Sequence, residues 1–83
     1  MAFEVVWDKI SLKFLDKLPK EEAKRIIKKV ETANEDPIRY AERLVGSGIY
    51  KIRVGDYRVF VDIYYNPNIM KIRAIRHRSV AYQ

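Results

Sequence analysis

The side chains of this chain that can handle a phosphodiester gather toward its C-terminal end: Lys51, Arg53, Arg58, Arg73, Arg76 and Arg78, with His77 and Tyr82 among them. A guanidinium presents a planar fork that matches two oxygens of one phosphate. Histidine is the side chain whose unperturbed pKa lies near neutrality, so it can give or take a proton. A tyrosine can stack on a base or assist proton transfer. Arg53 and Arg58 flank Gly55-Asp56, a two-residue turn of the Gly-X type that closes tight hairpins. Such a turn opposes Val54 to Tyr57, Arg53 to Arg58, Ile52 to Val59, Lys51 to Phe60 and Tyr50 to Val61. Two arginines facing each other across a ladder cost stability. An anion between them turns repulsion into bidentate attraction, so the placement points to a phosphate-binding surface.

A second hairpin turns at Asn66-Pro67-Asn68. A four-residue loop, 65–68, pairs Ile63 with Met70, Val61 with Ile72 and Val59 with Ala74 on the core face. A one-residue slip would bury two charges. In the favoured register the open face carries Lys51, Arg53, Arg58, Phe60, Arg73, Ile75 and His77, with Asp62 as its one acid. Cations interleaved with apolar and aromatic groups suit phosphates and stacked bases. A solvated polar face is the bland alternative, and it would show interspersed signs.

Charge distribution agrees. Residues 49–83 hold seven Lys/Arg against two acids, whereas residues 1–48 are nearly balanced, with ten against nine. Nearly all of the formal +6 therefore lies on the hairpins, which implies a polyanionic partner, most simply nucleic acid.

The preceding elements must hold this sheet. Ala2–Trp7 alternates as a first strand, with Phe3, Val5 and Trp7 on one side. Asp8 is placed to cap a helix whose stripe is Ile10, Phe14, Leu15 and Leu18, ended by Pro19. A second helix follows, acidic in its first turn at Glu21 and Glu22, with the stripe Ala23, Ile26, Ile27, Val30 and Ala33. Asp36-Pro37 opens another turn or two of helix through Ile38–Arg43, and Gly46-Ser47-Gly48 is a loop. Val80–Gln83 reads as a short tail, frayed unless docked. The fold class is α+β: an N-terminal strand, an α-helical hairpin, then a three-stranded antiparallel meander, with 1–83 as a single domain.

The 83 residues contain no cysteine, which removes disulfides and thiolate metal sites and suits a reducing, cytoplasmic compartment. Neither a membrane-spanning apolar run nor the features of a signal peptide are expected here. His77 is the single histidine, with no Cys, Asp or Glu close by in sequence, so neither a metal nor another cofactor is expected.

The same residues carry a family resemblance. Leu44-Val45-Gly46 followed by Tyr50-Lys51-Ile52-Arg53, then Gly55-Asp56-Tyr57-Arg58-Val59, then Ile75-Arg76-His77-Arg78-Ser79-Val80-Ala81-Tyr82 resemble the RelE/ParE superfamily of toxin–antitoxin systems, and within it the RelE-type mRNA interferases. The resemblance runs end to end. It implies a toxin that cleaves mRNA in the ribosomal A site without metal, the ribose 2′-OH attacking its own phosphodiester. It implies Arg58 and Arg78 on the phosphate, Lys51 as a phosphate or rRNA contact, and Tyr82 stacking on a base or moving a proton. Arg73, Arg76, His77 and Phe60 complete the RNA-binding surface. Arg53 stands where the family has a lysine proposed as general base. An arginine, with a pKa above about 12, is a poor proton acceptor, so Arg53 is electrostatic and the base passes to Tyr82, His77 or the substrate's surroundings. The resemblance further implies a RelB-like antitoxin, and operator DNA only through it. A ParE-like DNA gyrase inhibitor and a non-catalytic RNA-binding module are the alternatives on the same scaffold.

Overall fold

The structure, a computed structural model, describes residues 3–44, 46 and 48–81. Its elements run β1 (Glu4–Trp7), α1 (Lys9–Asp16), α2 (Lys20–Glu35), α3 (Pro37–Tyr40), β2 (Glu42–Arg43), β3 (Ile49–Val54), β4 (Tyr57–Tyr64), β5 (Ile69–His77) and α4 (Arg78–Ala81). The strands form one mixed sheet in the order β1-β5-β4-β3-β2. The expected meander is its centre. β1 lies parallel to β5, joined to the rest through the crossover that a parallel pair requires. The two-residue β2 was not expected: helix begins at Pro37, but Ala41 turns extended and the chain pairs with β3 instead of coiling through Arg43.

Local chemistry sets the helix ends. The Asp8 carboxylate accepts from the Ser11 N–H at 2.8 Å and caps α1. Pro19 precedes α2, which has no side-chain cap; Glu21 and Glu22 place negative charge at its positive end instead. Both long helices lie on one face of the sheet, α1 against β5 and α2 against β3 and β1. Between the layers lie Leu15 of α1, Ile26, Val30 and Ala33 of α2, and Ile52, Val59, Val61, Met70 and Ile72 of the strands. Each large aliphatic side chain so buried contributes about 1.5–3 kcal/mol. Two members of the expected stripes fall outside this core, since Ile10 is 70% exposed and Ile27 is 37% exposed.

The β3–β4 register is the expected one, with Arg53 opposite Arg58 and Lys51 opposite Phe60. The β4–β5 register also matches expectation from Tyr64↔Ile69 through Ile63↔Met70 and Asp62↔Lys71 to Val61↔Ile72. It then shifts. A β-bulge falls beside Phe60 and Val61, with Arg73 as the additional residue, and the ladder resumes as Phe60↔Ala74, Val59↔Ile75, Arg58↔Arg76 and Tyr57↔His77. The expected pairs Phe60–Arg73 and Val59–Ala74 are therefore corrected. An unbroken ladder would have turned Ile75 to solvent and Arg76 into the core. The bulge reverses both faces for the rest of β5, and Ile75 is buried.

β5 does not run into a free tail. Arg78–Ala81 coils into α4, which packs back onto β4 and β5. Its first residue is tied down by the Arg78 N–H donating to the Asp56 carbonyl at 2.6 Å. Tyr82 and Gln83 lie outside the described residues.

Candidate functional site

The bulge assembles the site. On the sheet face turned away from α1 and α2, three adjacent strands bring Arg53, Arg58 and Arg76 into one transverse row. Opposed side chains on such a row begin about 4.5–5.5 Å apart at Cβ. The β3–β4 turn lies at the same end, and the bond from Arg78 to Asp56 brings the start of α4 to it.

The three arginines differ in setting. Arg53 and Arg76 are exposed, as is Arg78 on α4. Arg58, in the middle, is only 5% exposed. Its Nη1 donates to the Tyr57 carbonyl at 3.1 Å and to the Gly55 carbonyl at 3.4 Å. The turn carbonyls thus hold the central cation in place, where reduced solvent screening extends its field. An oxyanion arriving over this row meets Arg53 and Arg76 directly, with Arg58 as fixed charge behind them.

The other expected residues separate into two groups. Lys51 faces Phe60 one row along and lies 3.9 Å from Glu42. Arg73 points to Asp62 at 3.3 Å. Glu42 and Asp62 therefore temper the cations farther from the turn, and Asp62 is not the lone acid of this face. His77 departs from expectation. By register it shares the helix side with Tyr57, their ring centroids 5.3 Å apart at 89°. The Ser79 N–H donates to its Nδ1 at 3.3 Å, and the Ser79 hydroxyl lies 3.0 Å from the same nitrogen. The face assigned to Ile75 and His77 from sequence belongs instead to Ala74 and Arg76. The spacing of β5 held the signal: Met70 and Ile72 are two apart, but Ile75 follows after three, the mark of one inserted residue.

Beneath the site, the Tyr57 O–H donates to Glu22 Oε2 at 2.6 Å and joins α2 to the hairpin. This bond to a carboxylate, aided by burial, raises the Tyr57 pKa above its ordinary value of 10.0. Among the described residues, no group of three or more His, Cys, Asp and Glu side chains is placed to hold a metal ion.

Comparison with known proteins identifies the family and the fold. The family model of the ParE toxin of type II toxin–antitoxin systems matches residues 5–82. The Methanocaldococcus jannaschii protein named "Putative toxin RelE1" is 34% identical over 88 residues, covering 100% of this chain and 98% of its own. The archaeal RelE–RelB complex of Pyrococcus horikoshii superposes with a TM-score of 0.80 at 27% identity, over 94% of this chain and 97% of that one. The RelBE2 complex of Mycobacterium tuberculosis gives 0.83 at 21% identity, over 94% and 100%. A mutant of E. coli RelE in the free state gives 0.81 at 22%, over 99% and 90%; at these last two identities the likeness is of fold alone. With the family model spanning almost the whole chain and a RelE relative aligned over its full length, the chain belongs to the RelE/ParE family of type II toxin–antitoxin toxins and is of the RelE type.

Proposed function

We propose that this toxin is a ribosome-dependent endoribonuclease that cuts mRNA in the A site through attack of the ribose 2′-OH. The observation that carries the reading is the row Arg53, Arg58 and Arg76 on the helix-free face. In the reaction, the 2′-oxygen forms a bond to phosphorus as the bond to the 5′-oxygen breaks, leaving a 2′,3′-cyclic phosphate and a 5′-OH. One proton leaves the 2′-OH and one reaches the departing oxygen. Negative charge grows on the non-bridging oxygens meanwhile, and pre-placed cations stabilise it without reorganising. Arg53 and Arg76 are assigned to those oxygens, Arg78 to the leaving-group side, and Arg58 to the background field. His77 faces the helices and is set aside as base; the proton-transfer role goes to Tyr82. Lys51, Phe60 and Arg73 extend the surface along the bound RNA. The whole chain acts as one domain in this reading.

A RelB-like antitoxin is the proposed partner, because several similar folds were determined as RelB–RelE complexes. On this chain, the exposed Ile10 of α1 lines a cleft with Phe14, Ala74 and Ile75, a suitable seat for an apolar helix.

One observation favours a second reading, gyrase inhibition: the matching family model is that of ParE toxins. Primer extension on an mRNA under translation separates the two. Cuts within codons that disappear with Arg76→Ala are the expected result. Intact mRNA together with inhibited DNA supercoiling would transfer the assignment to gyrase.

A further inference from the structure

A second cationic feature lies off the sheet face. On α2, Arg25, Lys28, Lys29 and Thr32 recur at helical spacing and face the end of β3 and the Gly55 turn. Together with Arg53 they line a groove of about 370 Å³ that has no acid in its wall. That volume is at the lower end of the roughly 300–1,000 Å³ of ligand sites.

A solvated helix face would use its cations in i,i+4 pairs with acids. Here, among the described residues, none of Arg25, Lys28, Lys29 and Arg53 has a carboxylate within 4.0 Å. Glu22, three residues before Arg25, is engaged by Tyr57. Lys29 rests over the Tyr40 ring, 5.2 Å from its centroid. The Arg25 guanidinium lies so close to the turn that a Cβ on Gly55 would meet its Nη1 at 3.3 Å. The first contact turns Lys29 toward a ring outside the groove wall, and the second keeps the Arg25 guanidinium at the turn end of the groove. The groove wall has no aromatic side chain, so it offers charge and hydrogen bonds but no platform for a base.

We infer that this groove is a second phosphate-binding site, seating the sugar-phosphate backbone of an RNA segment beyond the one at the arginine row. The choice of RNA rests on the proposed function; the choice of a polyphosphate rests on the groove itself. A guanidinium fork and ammonium groups are donors that position a nucleic-acid backbone without reading its bases, while the Thr32 hydroxyl donates to the Lys28 carbonyl at 3.0 Å. Arg53 belongs to both features, so the positive track continues from the sheet face around β3 onto α2.

The test is anisotropy of a labelled single-stranded RNA bound to the full chain across a salt series, without ribosomes. Loss of two phosphate contacts in Arg25→Gln/Lys28→Gln should lower the slope of log K against log salt by about 1.4, since each contact on a single strand contributes about 0.7. Both positions are exposed, and Lys28→Glu alone provides a second variant with a weakening in the same direction. Inorganic pyrophosphate should shift the amide resonances of Gly55 and Thr32 in the wild type and leave them unmoved in the double variant. An unchanged slope overturns the inference, and so does a poly-glutamate peptide that holds the groove more tightly than RNA. Groove-dependent binding without mRNA cleavage would sink the proposed reaction and leave this site standing.

Discussion

Arg53 separates stability from activity more cleanly than any other single residue in the site. It is exposed and faces Arg58 across the ladder, a like-charge pair that costs about 0.2–1 kcal/mol. Arg53→Gln should therefore raise the urea midpoint slightly while mRNA cleavage falls by about a hundredfold, the effect of losing one transition-state donor. A drop in both would make the arginine structural. Tyr57 sets a pH dependence. Its neutral form is held by the bond to Glu22, so its pKa is raised above 10.0 in the folded chain. That contribution is whole below the unfolded value and fades as pH rises from there through the folded one. Urea titrations between about pH 8 and 11 should show this alkaline loss in the wild type and a smaller one in Tyr57→Phe. Ser11 presents the reverse case: fully buried, with an Oγ that has no partner among the described residues. Ser11→Ala should stabilise by about 1 kcal/mol, read from the same titration.

Among the elements, the β3–β4 hairpin and the β5 bulge govern the site. Gly55 turns with φ at +58°, a conformation that costs an L side chain about 1–2 kcal/mol. Gly55→Ala should incur that cost and displace Arg25 as well, which thermal melting and the pyrophosphate titration would register together. The hairpin was legible in the residues: a Gly-X turn between alternating strands allows one register that keeps both Ile52 and Val59 inside. The far half of β5 was not, because strict alternation was carried through Arg73. Deleting Arg73 removes the additional residue and should leave Ala74, Ile75 and Arg76 opposite their present partners, because the shortened strand alternates in the same register with β4. The chain should therefore stay folded and keep the arginine row. Circular dichroism with primer extension checks this; loss of fold or of cleavage would mean that the bend and twist of the bulge are needed as well as the faces it sets.

Across the whole molecule, charge is arranged along two directions. Acids of the open face, Glu42 and Asp62, stand beside Lys51 and Arg73, while Arg53, Arg58, Arg76 and Arg78 gather at the turn end. The sequence alone established the excess of cations and their C-terminal concentration, on which the expectation of a polyanionic partner rests. Periodicity established two amphipathic helices and a sheet to receive them, because a stripe every three or four residues has to be covered by something flat. The turn residues established one hairpin completely. Three matters waited for the tertiary structure. Parallel pairing of β1 with β5 depends on contacts between opposite ends of the chain, which local pattern does not encode. The side on which Arg76 and His77 emerge depends on a bulge whose position is chosen by packing Ile75 against Val59. The groove shared by α2 and Gly55 exists because the core brings helix and turn together, and its cations are otherwise two separate stretches of sequence.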